Sequence, residues 1–115
     1  MKTQMHLNSM KTQELISRYQ AGQRDFRNLN LMAANLRNLN LSGANLSGTS
    51  LCGANLTNTN LSYANLTGAD LTKTKLVQTN LTRANLSNAN LGDADLSQAN
   101  LSQTYLRGAV VCGSV

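Results

Sequence analysis

The sequence predicts an all-β solenoid, a rod stacked from five-residue units, behind a short N-terminal helix. Three observations predict it. Leucine stands at every fifth residue from Leu31 to Leu106 without a miss, with Phe26 one step before and Val111 one step after. Two places before each centre stands a small residue, mostly Ala (Ala44, Ala54, Ala64, Ala84) or Thr (Thr49, Thr59, Thr74, Thr79). One place before the centre stands mostly Asn, as at Asn30, Asn40, Asn60, Asn80 and Asn100.

A period of five suits neither common element. On an α-helix, five residues advance about 140° around the axis, so the leucines would spiral over the whole surface. On a flat strand, odd spacing puts successive leucines on opposite faces. A chain that bends the same way once per unit puts every leucine inside. Aromatic residues are only 3% of the chain and Trp is absent, so leucine and small residues must fill the interior. The expected core is Phe26, Leu31, Leu36, Leu46, Leu56, Leu66, Leu76, Leu86, Leu96 and Leu106. The Asn before each centre suits turns and side-chain bonds to nearby backbone. The two residues after each centre vary and are mostly polar, as solvent-facing positions are.

Charge spacing indicates the number of walls. Four units per coil place residues twenty apart above one another, so Lys73 meets Asp93 and Lys75 meets Asp95. Three units per coil pair the lysines with Asn88 and Asn90. The opposite-charge pairs favour four, and a salt-bridge ladder is expected there. Arg83 then sits above Tyr63, within reach of a cation–π contact.

Residues 1–22 are expected to form a tail and a capping helix, and residues 23–115 a β-solenoid of four to five coils. Thr12 reads as the N-cap, with Glu14 in the first turn. Leu15, Ile16 and Tyr19 share one helical face, and Gly22 is the stop. Open solenoid ends need covering, so the helix is expected to close the first coil. Residues 1–8 are expected to fray.

The units Ala34-Asn35-Leu36, Ala44-Asn45-Leu46, Ala54-Asn55-Leu56 and Ala84-Asn85-Leu86 resemble the A(D/N)LXX signature of the pentapeptide-repeat family, over about residues 24–113. The resemblance implies a right-handed quadrilateral β-helix with four pentapeptides per coil. Arg24-Asp25-Phe26 after a short helix is similar to cyanobacterial members. Leu29 and Leu39 depart from the small inward residue, which suggests a wider first coil. Lys75 and Tyr105 depart from Asn or Asp.

No catalytic, cofactor or metal site is expected. His6 lies in the frayed segment. Cys52 and Cys112 stand three coils apart, about 14 Å at strand spacing, too far for a disulfide. Asp93 and Asp95 read as partners of lysines. The first ten residues hold no apolar stretch of signal-peptide length, and no segment approaches a membrane span. The expected compartment is the cytoplasm, with no membrane partner.

The net charge is +5. Residues 1–27 carry five basic and two acidic residues, and residues 28–115 carry five and three. A rod with flat walls and no reactive cluster is expected to be a non-catalytic interaction or scaffold module for an unidentified protein partner. The alternative that the resemblance implies is DNA mimicry directed at a type II topoisomerase such as gyrase. That role calls for an acidic face, which a near-neutral body does not supply. A nucleic-acid partner is not expected. After Leu106 nothing resembles a cap, so the last coil is expected to expose Leu101, Leu106 and Val111 beside Tyr105 and Val110. An end-to-end homodimer through Tyr105, Val110 and Val111 would cover it. A monomer whose last residues fold over the end is the other outcome.

Overall fold

A computed structural model describes residues 10–111. The expectations for His6, for Cys112 and for fraying of residues 1–8 lie outside the described residues.

Helix α1 spans Thr12–Gln20. Its N-cap is Lys11, in extended conformation and without a side-chain cap, rather than Thr12. Thr12 is the first helical residue, and its hydroxyl donates to the Asn35 carbonyl at 3.1 Å. The threonine therefore ties α1 to the first coil instead of capping it. Glu14, in the first turn, pairs with Arg18 one turn on, at 2.6 Å. The helix ends as the stop at Gly22 requires. Gly22 takes φ +103°, its N–H donates to Tyr19, and Gln23 N–H donates to Arg18, both at 3.0 Å. Those two bonds satisfy carbonyls that a helix end otherwise leaves open. Leu15 is fully buried in the common core. The Tyr19 hydroxyl donates to the Ser42 carbonyl at 2.6 Å, a second tie to the first coil.

Beyond α1 the chain winds with a repeat of twenty residues. Parallel bridges join Asp25 to Asn45, Asn30 to Ser50, Asn35 to Asn55 and Asn40 to Asn60, and continue in this register to Asn90 and Val110. Coils 24–43, 44–63, 64–83 and 84–103 follow, with residues 104–111 beginning a fifth. Each coil has four walls, centred in the first on Phe26, Leu31, Leu36 and Leu41. Every bridge is a single residue pair, so no wall is a continuous strand. Two of each five residues are spent turning the corner, which leaves too little extended chain for more.

Three backbone bonds per unit hold each coil to the next. Leu46 N–H donates up to Asn65 at 2.7 Å, Gly48 N–H up to Thr67 at 3.0 Å, and Asn65 N–H down to Ala44 at 2.9 Å. Within a unit the corner closes by a bond such as Ala54 N–H to the Leu51 carbonyl, 2.9 Å. The two residues after the centre are not equivalent, as a single class of variable positions would have them. The second is left-handed in every unit from Asn28 (φ +57°) to Gly108 (φ +77°). It is Gly, Asn, Asp or another unbranched residue, and never Val, Ile or Thr. The β-branched residues gather one place earlier, at Thr57, Thr67, Thr72, Val77 and Thr82, where no positive φ is demanded.

The interior is one continuous column. Phe26 and the central leucines of each unit from Leu31 through Leu91 are at most 2% exposed, with Ala44, Ala54, Ala64, Ala69, Ala84 and Ala89 packed between them. Two residues of the expected core differ. Leu96 is only half-buried, and Leu106 is 38% exposed, because no described coil lies above them. Leu29 and Leu39 are half-buried against the core, and the first coil opens locally at their two corners.

Candidate functional site

Each wall carries vertical columns of outward side chains one coil apart. The Asn before each centre does not bond along its column. Its Oδ1 accepts from the backbone N–H two residues on, as in Asn40 with Ser42 (3.1 Å), Asn60 with Ser62 (2.9 Å), Asn80 with Thr82 (3.0 Å) and Asn100 with Ser102 (3.0 Å). The asparagines thus fix the corner of their own unit. Side-chain contacts along the rod are made elsewhere, by Asn58 to Asn38 (2.9 Å), Gln78 to Gln98 (3.2 Å) and Ser42 to Ser62 (3.0 Å).

The lysine–aspartate columns have the twenty-residue register, and Lys75 bridges Asp95 through the backbone. The salt-bridge ladder expected there does not form. Among the described residues the ion pairs are Arg18–Glu14 and Arg27–Asp25. The Asp95 carboxylate turns instead to the Ser97 backbone N–H (3.0 Å) and hydroxyl. These bonds hold its pKa below the ordinary 3.8, with the Lys75 charge a smaller contribution. Local bonds at two-residue separation outcompete an exposed ion pair between long, mobile chains.

Cys52 is half-buried and unpaired. No cluster of three or more metal-ligating side chains occurs among the described residues. No helix in them is long and apolar enough to cross a membrane.

Two features stand out on the surface of the rod. The first is the last coil. Coil-to-coil bonding ends with Leu91 N–H to Val110 and Val110 N–H to Ala89. The upward N–H groups of Leu101 and Leu106 find no acceptor among the described residues. Exposed around them are Tyr105 (62%), Val111 (53%), Val110 (47%), Leu101 and Leu106. The second is a corner of the rod where Arg83 lies over the Tyr63 ring, 5.9 Å from its centroid. There a groove of about 340 Å³ is lined by Arg83, Gln103, Thr104 and Tyr105. The cation–π pair follows from the twenty-residue spacing. The groove was missed in sequence because Tyr105 belongs to the next wall. Its signal was the forty-two residues between the two tyrosines, two coils plus one corner.

At the opposite end a cleft of about 460 Å³ opens between α1 and the first coil, beside Tyr19, Arg24, Leu39 and Asn40. Arg24 stacks on Tyr19 at 3.7 Å and donates to its carbonyl, so this cation is already engaged in holding α1.

The twenty-residue coil of centred leucines is matched at family level. The family model described as pentapeptide repeats matches residues 30–68, 64–103 and 85–111. The chain belongs to the pentapeptide-repeat family. No curated protein matches it. Solved structures do. The pentapeptide-repeat protein Rfr23 of the cyanobacterium Cyanothece 51142 is 39% identical with a TM-score of 0.75, over 77% of this chain and 63% of its own. A pentapeptide-repeat protein of the Arabidopsis thaliana thylakoid lumen is 31% identical, TM-score 0.61, over 76% and 58%. HetL of the cyanobacterium Nostoc sp. strain PCC 7120, involved in heterocyst differentiation regulation, is 34% identical, TM-score 0.55, over 89% and 47%. The chain therefore spans about half to two thirds of the length of these pentapeptide-repeat structures.

Proposed function

We propose that this pentapeptide-repeat chain is a non-catalytic interaction module that pairs with a protein surface through its last coil. The carrying observation is the contrast between the two ends. At the first coil, α1 covers the core with Leu15 and bonds the coil's carbonyls through Thr12 and Tyr19. At the last, Leu101, Leu106, Val110 and Val111 are exposed beside upward N–H groups without described acceptors. Open backbone edges with apolar surroundings attract a partner. A second copy is the first occupant, because one two-fold contact covers the same surface on both chains. The twenty-residue bridges support a four-sided β-helix, and its right hand is carried over from the family. HetL, involved in heterocyst differentiation regulation, is a family member with a regulatory role. Duplex-like charge is a weak basis for this rod, whose body has three aspartates against five basic residues.

Light scattering across a concentration series tests the proposal. A dimer that Leu106→Asp and Val111→Asp each dissociate is the expected result. A monomer at every concentration, unchanged by either substitution, overturns it.

A further inference from the structure

The corner bearing Tyr63, Arg83 and Tyr105 has a composition found nowhere else on the rod. Of the chain's three tyrosines, Tyr19 belongs to α1 and is engaged with Ser42, and the other two stand on this corner, each 62% exposed. Tyrosine and arginine are the side chains that protein interfaces concentrate at their energetic centres. Between the rings sits Arg83, one coil above Tyr63 and one coil below Gln103. Its guanidinium has no hydrogen-bond or ion-pair partner among the described residues. Five N–H donors in a planar fork are thus presented to the groove.

Charge placement on the four walls decides what fits. The register puts Asp70 in the column of Asn30, Ser50 and Asn90, and Asp95 in the column of Asn35, Asn55 and Lys75. Asp93 stands twenty residues above Lys73. Every aspartate above the first coil is therefore on the second and third walls. The fourth and first walls, which meet at the tyrosine corner, carry Arg83 and Arg107 and no acid above Asp25. Asp25 itself is paired with Arg27 at 2.9 Å. The lysines of the rod have aspartates nearby, whereas Arg83 has a tyrosine on one side and a glutamine on the other.

We propose that this corner docks an acidic, extended segment of a partner protein, with a carboxylate taken by the Arg83 fork and apolar neighbours laid against Tyr63 and Tyr105. Arginine matches a carboxylate through two parallel N–H donations, which lysine cannot reproduce. The two rings stand about two coils apart, roughly 10 Å at strand spacing, the reach of about three extended residues. Gln103 supplies an amide to the segment's backbone. This proposal deepens the interaction-module reading and rests on it, but it does not need the last coil to be paired with a second copy.

The test uses the full chain and fluorescence anisotropy. The probes are labelled ten-residue peptides with Asp or Glu spaced among Leu and Tyr, their Asn/Gln counterparts, and labelled oligo-dT. Saturable binding of acidic peptides over the amide counterparts is expected, weakening as salt is raised. Arg83→Gln should weaken it on the order of tenfold or more, and Arg83→Lys should recover only part, since it restores charge without the fork. Lys73→Gln, on the opposite side, should leave binding unchanged. No preference for acidic peptides overturns the proposed partner. Equal loss in Lys73→Gln overturns the location. Arg83-dependent binding of oligo-dT in place of the peptides overturns the partner class in favour of nucleic acid. Light scattering on the same samples keeps the two proposals separate, because Arg83→Gln should not change the dimer.

Discussion

The hydroxyl of Thr49 completes the corner of the unit beneath it, where Leu29 has pushed the corner open. Thr49 Oγ1 donates to the Phe26 carbonyl at 2.8 Å and accepts from the Leu29 N–H at 3.2 Å. In the neighbouring unit Ala34 N–H bonds the Leu31 carbonyl directly, at 3.1 Å. Thr59 repeats the arrangement, donating to the Leu36 carbonyl and accepting from Leu39 at 3.3 Å. Both large inward residues thus have threonine one coil above. Thr49→Val keeps the shape and removes the bridge, orphaning a donor and an acceptor, so it should cost about 1–3 kcal/mol. Thr74→Val should cost less, because its acceptor, the Leu51 carbonyl, keeps the bond from Ala54 N–H. Urea melts of the two variants check the order, and equal losses would show that the bridge contributes nothing special.

Gly48 and Gly53 have the same backbone and different neighbours. Both are left-handed, at φ +69° and +71°. A Cβ on Gly53 would meet nothing within 4 Å, whereas one on Gly48 would overlap Asn28 Oδ1. Gly53→Ala should therefore cost only the left-handed strain, about 1 kcal/mol. Gly48→Ala must in addition drive the Asn28 side chain from its place, and should cost more. Thermal melts that rank them the other way round would contradict the packing of Asn28 against Gly48.

Burial should grade the cost of leucine truncation along the rod. Leu66 is wholly enclosed by coils on both sides, so Leu66→Ala should cost about 2–5 kcal/mol. Thr67, one residue on, is half-buried on the outside, and Thr67→Ala should cost well under that. Leu106→Ala removes a side chain already 38% exposed and should fall between them. Measured in dilute solution, where the proposed dimer dissociates, the order Leu66, Leu106, Thr67 is expected. A Leu106 loss equal to that of Leu66 would mean that the last coil is covered in the monomer.

The repeat made most of the rod legible, because a strict period of five admits one way of burying every centre. Position along the rod was less so. Leu96 and Leu106 look like the other leucines in sequence, and their exposure comes from what lies above them. The corner chemistry was half visible. Asn before the centre announced a turn, but the ban on β-branching at the left-handed position shows only when the two variable columns are separated. The lysine–aspartate register was correct, yet charge spacing does not reveal that Asp95 has a nearer partner in Ser97. The Tyr63–Arg83 pair follows from the twenty-residue count. The groove with Tyr105 requires knowing which wall follows which.

Asp95 provides a pH-dependent test of the corner bonds. Its carboxylate accepts from the Ser97 N–H and hydroxyl, which holds its pKa below the ordinary 3.8 in the folded chain. A folded-state pKa below the unfolded one stabilises the fold above the unfolded value and ceases to do so as pH falls through the folded value. Asp95→Asn keeps an oxygen acceptor for Ser97 and loses the charge, so its contribution does not titrate. The wild type should exceed Asp95→Asn in melting temperature near neutral pH. Between about pH 5 and pH 2 the difference should shrink toward zero. Asp25, lowered chiefly by its side-chain bond from Arg27, titrates in both proteins and cancels in the comparison. A melting-temperature difference constant across that range would show that the Asp95 charge takes no part in holding the corner.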